Sequence, residues 1–142
     1  MGLDMYLVAR SKNGGATRQI CYWRKANAIL NWFDHNLESV KTQGNGPASR
    51  EGVRNATDYI VTKKEYEKIL DDCRRLLLLD YEYEGTDGEV PIPEDLLPMS
   101  GFFFGSQKLD EWFWCEIEAT VGSLGAYSVD WDNEIVEFWI SY

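Results

Sequence analysis

The densest concentration of versatile side chains is Tyr22-Trp23-Arg24-Lys25-Ala26-Asn27, with Asn31 one helical turn further on. Trp23 offers a ring for stacking on a base, Arg24 a forked guanidinium for phosphate or carboxylate, and Asn27 and Asn31 a donor and an acceptor each. Where such a segment runs from a strand into a helix, the first helical N–H groups add a positive pole for an anion. The competing reading is a strand end followed by an ordinary solvated helix flank. Gly105 and Ser106 form a second turn entering a helix. Ser106 reads first as an N-cap, because the segment lacks a Gly-x-Ser-x-Gly nucleophile elbow and a convincing histidine partner.

Glu116 falls near the middle of an apolar helical stripe between Trp112 and Thr120, where a carboxylate needs a partner or a raised pKa. Arg24 is an available cation for a structural ion pair, and a general acid or base is the alternative. His35, the only histidine, belongs to the outer flank of the first helix. The adjacent carboxylate pairs Asp71-Asp72 and Asp110-Glu111 diverge on helices and make no metal clamp, so no metal and no cofactor are expected. Catalytic residues are not assigned.

Residues 101–118 hold six aromatics, more than one buried face normally takes from one segment. On a helix, Trp112, Phe113 and Trp114 together sweep roughly 200° of the surface. That implies either a helix covered on two sides or a binding surface. In the second case Trp112 and Trp114, flanked by Glu111 and Glu118, are the docking residues, because aromatics are favoured interface anchors.

The elements that must position these groups follow from periodicity. Leu3, Met5 and Leu7 alternate with Asp4, Tyr6 and Val8, Asn13-Gly14-Gly15 marks a turn, and residues 19–23 resume the alternation, so 2–24 reads as an antiparallel hairpin. A helix from about Lys25 or Ala26 presents Ala26, Ile29, Leu30, Phe33 and Leu37 on one stripe, with Asn27, Asn31, Asp34 and Glu38 as its polar flank. Residues 41–56 have loop composition, and 58–61 add a short strand. Thr62 and Glu65 have capping-box spacing before a helix with core positions Tyr66, Ile69, Leu70, Cys73 and Leu77. Residues 81–98 read as an acidic, irregular connection. A third helix follows Ser106, its stripe being Leu109, Trp112, Phe113, Ile117, Thr120 and Val121, ended by Gly122 and Gly125. Strands on either side of Asp132-Asn133 close the chain, the last with Val136, Phe138 and Ile140 on one face. This order predicts a single α+β domain over residues 1–142: an antiparallel sheet, from the N-terminal hairpin and the C-terminal strands, packed by about three helices.

The net charge of −10 is unevenly distributed: residues 1–64 carry ten basic and five acidic side chains, the remainder four and nineteen. Seven acidic residues and no basic one lie between Asp80 and Asp95. The two halves can pair across the fold, and a surviving acidic face would repel nucleic acid and attract a basic protein, so direct nucleic-acid binding is not expected. Three widely spaced cysteines lack metal-ligand spacing and read as buried thiols of a reducing compartment. No stretch is long and apolar enough to span a bilayer, and the N-terminal residues lack a secretion pattern. A soluble intracellular protein is expected.

Residues 1–7 (MGLDMYL), 22–33 (YWRKANAILNWF) and 100–112 (SGFFFGSQKLDEW) resemble a family of small proteins associated with bacteriophages and prophages. Family members often have a histidine where this chain has Leu30, so no role for that histidine carries over. The resemblance implies a phage origin, a location in the bacterial host cytoplasm and no particular reaction. It makes a non-catalytic host-takeover or anti-defence protein that binds a host protein the leading expectation. The alternative is a small-molecule binder or enzyme holding an anionic, nucleotide-like ligand with Trp23, Arg24, Asn27, Asn31, the Gly105-Ser106 turn and Glu116.

Overall fold

A computed structural model describes residues 3–43, 58–98 and 111–141, and shows an α+β fold in which an antiparallel sheet is packed by helices. Strands β1 (Asp4–Ser11), β2 (Thr17–Arg24), β3 (Asp58–Val61) and β4 (Glu134–Ser141) lie in the order β2-β1-β4-β3. The first two form the expected hairpin, with Gly14 at φ 81, a left-handed conformation that glycine adopts without steric cost. A bulge interrupts their pairing: Leu7 faces Cys21 but Val8 faces Gln19, so Ile20 is the extra residue.

The last strand is a central one. β4 pairs with β1 along its whole length, from Asp4↔Ser141 to Ser11↔Glu134, and with β3 on its other side. Both edges of β4 are therefore occupied, which leaves no place for the second C-terminal strand expected before Asp132-Asn133. Residues 127–133 form a turn instead, with Asn133 and Glu134 N–H both donating to Asp130 O, while Tyr127, Val129 and Trp131 pack against the core.

One sheet face, carrying Met5, Leu7, Ala9, Cys21, Trp23, Tyr59, Val61, Val136, Phe138 and Ile140, is buried. Helix α1 (Asn27–Asn36) lies against it, with Phe33 stacked on Phe138 at 4.1 Å and Trp23 edge-on to Phe33 at 5.7 Å. Every α1 residue from Asn27 to Asp34 is buried, Trp32 completely. Three of the four residues assigned to a solvated flank, Asn27, Asn31 and Asp34, are thus interior, while Glu38, beyond the end of α1, is exposed. The helix stops at Leu37, whose extended ψ of 124 breaks the spiral before α2 (Glu38–Gln43).

Helix α3 (Lys63–Tyr83) begins with the capping box: Thr62 Oγ1 accepts from Glu65 N–H, and Glu65 Oε1 accepts from Thr62 N–H. Glu65 Oε2 also accepts the Glu38 N–H, fastening the start of α2. Tyr66, Ile69, Cys73 and Leu76 are its buried positions, and the helix absorbs residues 81–83 of the supposed irregular connection. Helix α4 (Glu111–Ala126) packs on α3, runs through Gly122 and ends one residue after Gly125. A Cβ at Gly125 would lie 3.1 Å from the tip of the exposed Arg74 side chain of α3. Residues 41–43 of the expected loop 41–56 belong to α2, and residues 44–56 lie outside the described residues, as do Leu109 and the expected cap Ser106.

Candidate binding face

Strand alternation sends every second side chain away from the core. On β1 these are Asp4, Tyr6, Val8 and Arg10; on β2 Gln19, Tyr22 and Arg24; on β4 Ile135, Glu137, Trp139 and Ser141; on β3 Asp58 and Ile60. The register aligns Tyr22, Tyr6 and Trp139 across three adjacent strands, with Asp58 completing the row and Ile60 beside Glu137 in the next. Tyr22 is 44% exposed, Ile60 51% and Trp139 38%. With strands about 4.8 Å apart, the row spans roughly 15 Å.

Polar contacts hold this face in shape. The Tyr6 and Tyr22 rings are 5.0 Å apart, and Tyr22 OH donates to Asp4 Oδ1 at 2.5 Å, a bond that raises the phenol pKa. Arg10 Nε donates to Glu137 Oε1 at 2.6 Å. Burial raises the Glu137 carboxyl above its ordinary value; Arg10 opposes the shift, while a hydrogen bond with Asp58 and that residue's charge reinforce it. Glu137 is the carboxylate paired with Arg10, and the charge of Asp58 acts on both groups, beside exposed Trp139 and Ile60.

The residues first singled out for a small ligand do not converge. Trp23 is on the buried side, 3% exposed, its indole N–H donating to Thr120 Oγ1 at 2.8 Å, which in turn donates to Glu116 O. Arg24, its neighbour, points the opposite way and is exposed. Asn31 Nδ2 donates to the carbonyls of Glu94 and Leu97 at 3.2 and 2.9 Å, so its donors hold the 3-10 turn Glu94–Leu96 in place. Asn27 is buried with Ala26 and Ala28, which removes the start of α1 as an open anion site. Glu116 is half-buried rather than central to the core, and among the described residues no ion pair joins it to Arg24. Gly105 and Ser106 lie outside the described residues.

Of the expected docking residues, Trp112 is 74% exposed, contrary to its assignment to the core stripe, and Glu111 and Glu118 are exposed beside it. Trp114 is half-buried, edge-on to Phe113 at 5.0 Å, and belongs to the core margin. Asp71 and Asp72 do diverge: the first pairs with Arg75, the second accepts from Trp32 Nε1 and Lys68. His35 contacts Asn31 O within its own helix. Among the described residues no three metal-ligating side chains converge, and no helix is long and apolar enough to cross a membrane.

Sequence reasoning missed Asp4, Tyr6, Asp58, Ile60, Glu137 and Trp139 as a group. The signal was present: aromatics occupy the outward phase of strands whose inward phase is already apolar. Comparison of the chain with protein-family models, with curated proteins and with solved structures gives no match.

Proposed function

We propose that the chain is a non-catalytic docking protein that binds a basic protein through the outer face of its sheet. The observation that supports this is the row of exposed Tyr22, half-buried Tyr6 and exposed Trp139 with exposed Ile60 beside it, on the side of the sheet opposite the packed helices. Aromatics in such a row supply contact area with few rotatable bonds, and their faces accept cations. The carboxylates Asp4, Asp58 and Glu137 on this face, together with a chain charge of −10, favour a basic partner over nucleic acid. The resemblance to phage and prophage proteins makes a bacterial host protein the partner class, and takeover of a host function or blockade of a defence the biological role. The small-ligand alternative loses support because Trp23 and Asn31 are occupied in the interior.

A photocrosslinking residue placed at Ile60, and in a second protein at Trp112, tests this in bacterial cells. The expected result is a discrete adduct with a basic protein from position 60, lost in Trp139→Ser. Removal of an interface anchor of this kind typically costs about 2 kcal/mol, roughly a 30-fold rise in Kd. An adduct from position 112 alone would move the interface to α4, and an adduct of twice the chain mass would replace the partner with a second copy.

A further inference from the structure

The end of α3 carries a groove of about 400 Å³, separate from the sheet face, with Leu77 and Val90 as apolar lining, Tyr81 and Tyr83 as aromatic walls, and Asp80 and Glu84 as its charged groups. Its far wall is a loop folded back onto the helix. Thr86 donates through both N–H and Oγ1 to Tyr83 O, at 3.0 and 2.7 Å, and Gly85 takes the left-handed conformation at φ 78. Gly88 lies against the Tyr83 ring so closely that a Cβ there would meet it at 3.2 Å. The groove walls are therefore set by the chain itself, while Tyr81 remains 75% exposed.

Charge in this place is one-sided. A helix C-terminus presents partial negative charge, which proteins usually complement with Lys or Arg, yet the last turn of α3 has no basic residue. Among the described residues no ion pair involves Asp80 or Glu84. The groove thus combines an apolar strip for an alkyl stem, two ring faces, and carboxylates next to a helix pole of the same sign. An anion is excluded, and a bare metal ion would leave the strip and the rings unused.

We propose that this groove binds an arginine side chain of a basic polypeptide. Arginine lays its methylene stem on apolar surface, stacks its planar guanidinium on aromatic faces, and forks to carboxylates, whereas lysine supplies only a hydrated point charge. The proposal goes beyond the sheet-face reading and does not require it.

The probe is an acetylated, amidated Gly-Arg-Gly-Arg-Gly peptide, titrated into the full chain while amide resonances are followed by NMR. Saturable shifts are expected at residues 81–90, with the lysine counterpart binding about three-fold or more weakly. Tyr81→Ser, which alters an exposed side chain, and the double variant Asp80→Asn/Glu84→Gln should each raise Kd about ten-fold. Glu111→Gln/Glu118→Gln removes the same number of charges from α4 and should leave Kd within about two-fold. Shifts confined to residues 81–90 report the groove, whereas shifts at residues 4–10 and 135–141 report the sheet face, so that failure here and failure of the sheet-face reading are separable. Absence of saturable shifts, equal weakening by the two charge-removing pairs, or tighter binding of spermidine than of the peptide would each overturn the proposal.

Discussion

Replacing Asn31 with alanine separates a structural role from a ligand-binding one. Its amide N–H groups reach Glu94 O and Leu97 O across the boundary between α1 and the turn that buries Leu96. Each hydrogen bond contributes about 1 kcal/mol net, and a buried carbonyl left without its donor adds to the loss. Alanine recovers roughly 0.5 kcal/mol through better helix propensity. The balance is a loss of about 2 kcal/mol, which for a chain of this size lowers Tm by roughly 6–8 °C. Urea unfolding should show a lower midpoint with an unchanged slope, because the surface exposed on unfolding is the same. Hydrogen exchange should quicken at the Leu96 and Leu97 amides, which donate within the turn to Pro93 O and Glu94 O. Asn31→Asp should be worse than alanine at neutral pH, since it turns acceptor oxygens toward two carbonyls. A stability change under about 0.5 kcal/mol in Asn31→Ala, with exchange unaltered, would refute the assignment of these bonds as the fastening of the turn.

Two further expectations concern titration. Glu134 is held below its ordinary value by Arg18 and by the Asp130 N–H, so its ionised form stabilises the fold above about pH 4.5, and that contribution is lost as pH falls through the lowered pKa; Glu137 is raised by burial, so the fold loses stability as pH rises from the ordinary value through the raised one. Urea midpoints measured across this range should therefore show the deficit of Glu134→Gln growing with pH and that of Glu137→Gln shrinking, and parallel profiles would contradict the argument. Burial pushes the Cys21 thiol up to about 11 and the Cys73 thiol up to about 12, whereas Cys115 is exposed. A thiol reagent at neutral pH should label one of the three cysteines rapidly in the native protein, with Cys115→Ser removing the fast phase; two fast phases in the native chain would show that a buried site opens readily.

The parts of the fold legible in the sequence are those fixed by local rules. Alternation located β1, β2 and the last strand, and the Thr62–Glu65 pair located the start of α3. What escaped depended on distant segments. Asn27, Asn31 and Asp34 looked like a wet flank because polarity alone does not distinguish solvent from a buried carbonyl acceptor; the Asn31 bonds to residues 94 and 97 are made more than sixty positions away. Gly122 looked like a helix stop, but α4 runs through it and ends only beside Gly125. Trp112 sits at core spacing and is exposed because the partner helix covers the side of α4 that carries Phe113, Ile117 and Leu124. As for the outer sheet row, its membership was implied by alternation, but only strand order and register showed that Tyr22, Tyr6 and Trp139 are neighbours.

Register also ties this row to the stability of the fold. Tyr6 lies between core residues Met5 and Leu7, and Trp139 between Phe138 and Ile140. A slip of one residue in the β1–β4 pairing would carry Phe138 and Ile140 outward and Trp139 inward, at the cost of the Phe33–Phe138 stack. The inward side chains thus specify the alignment of the outward ones. Substitutions on the row differ in their cost to folding: exposed Ile60 disturbs it least, Tyr22 also gives up its bond to Asp4, and Trp139, 38% exposed, gives up the larger part of its ring burial. Within the same face Glu137 is buried and tied to Arg10 and Asp58, so altering it changes stability and surface charge together. Recognition by the aromatics and by Glu137 can therefore be dissected separately, the first with stability measured alongside binding and the second only with the pH dependence of folding measured as well.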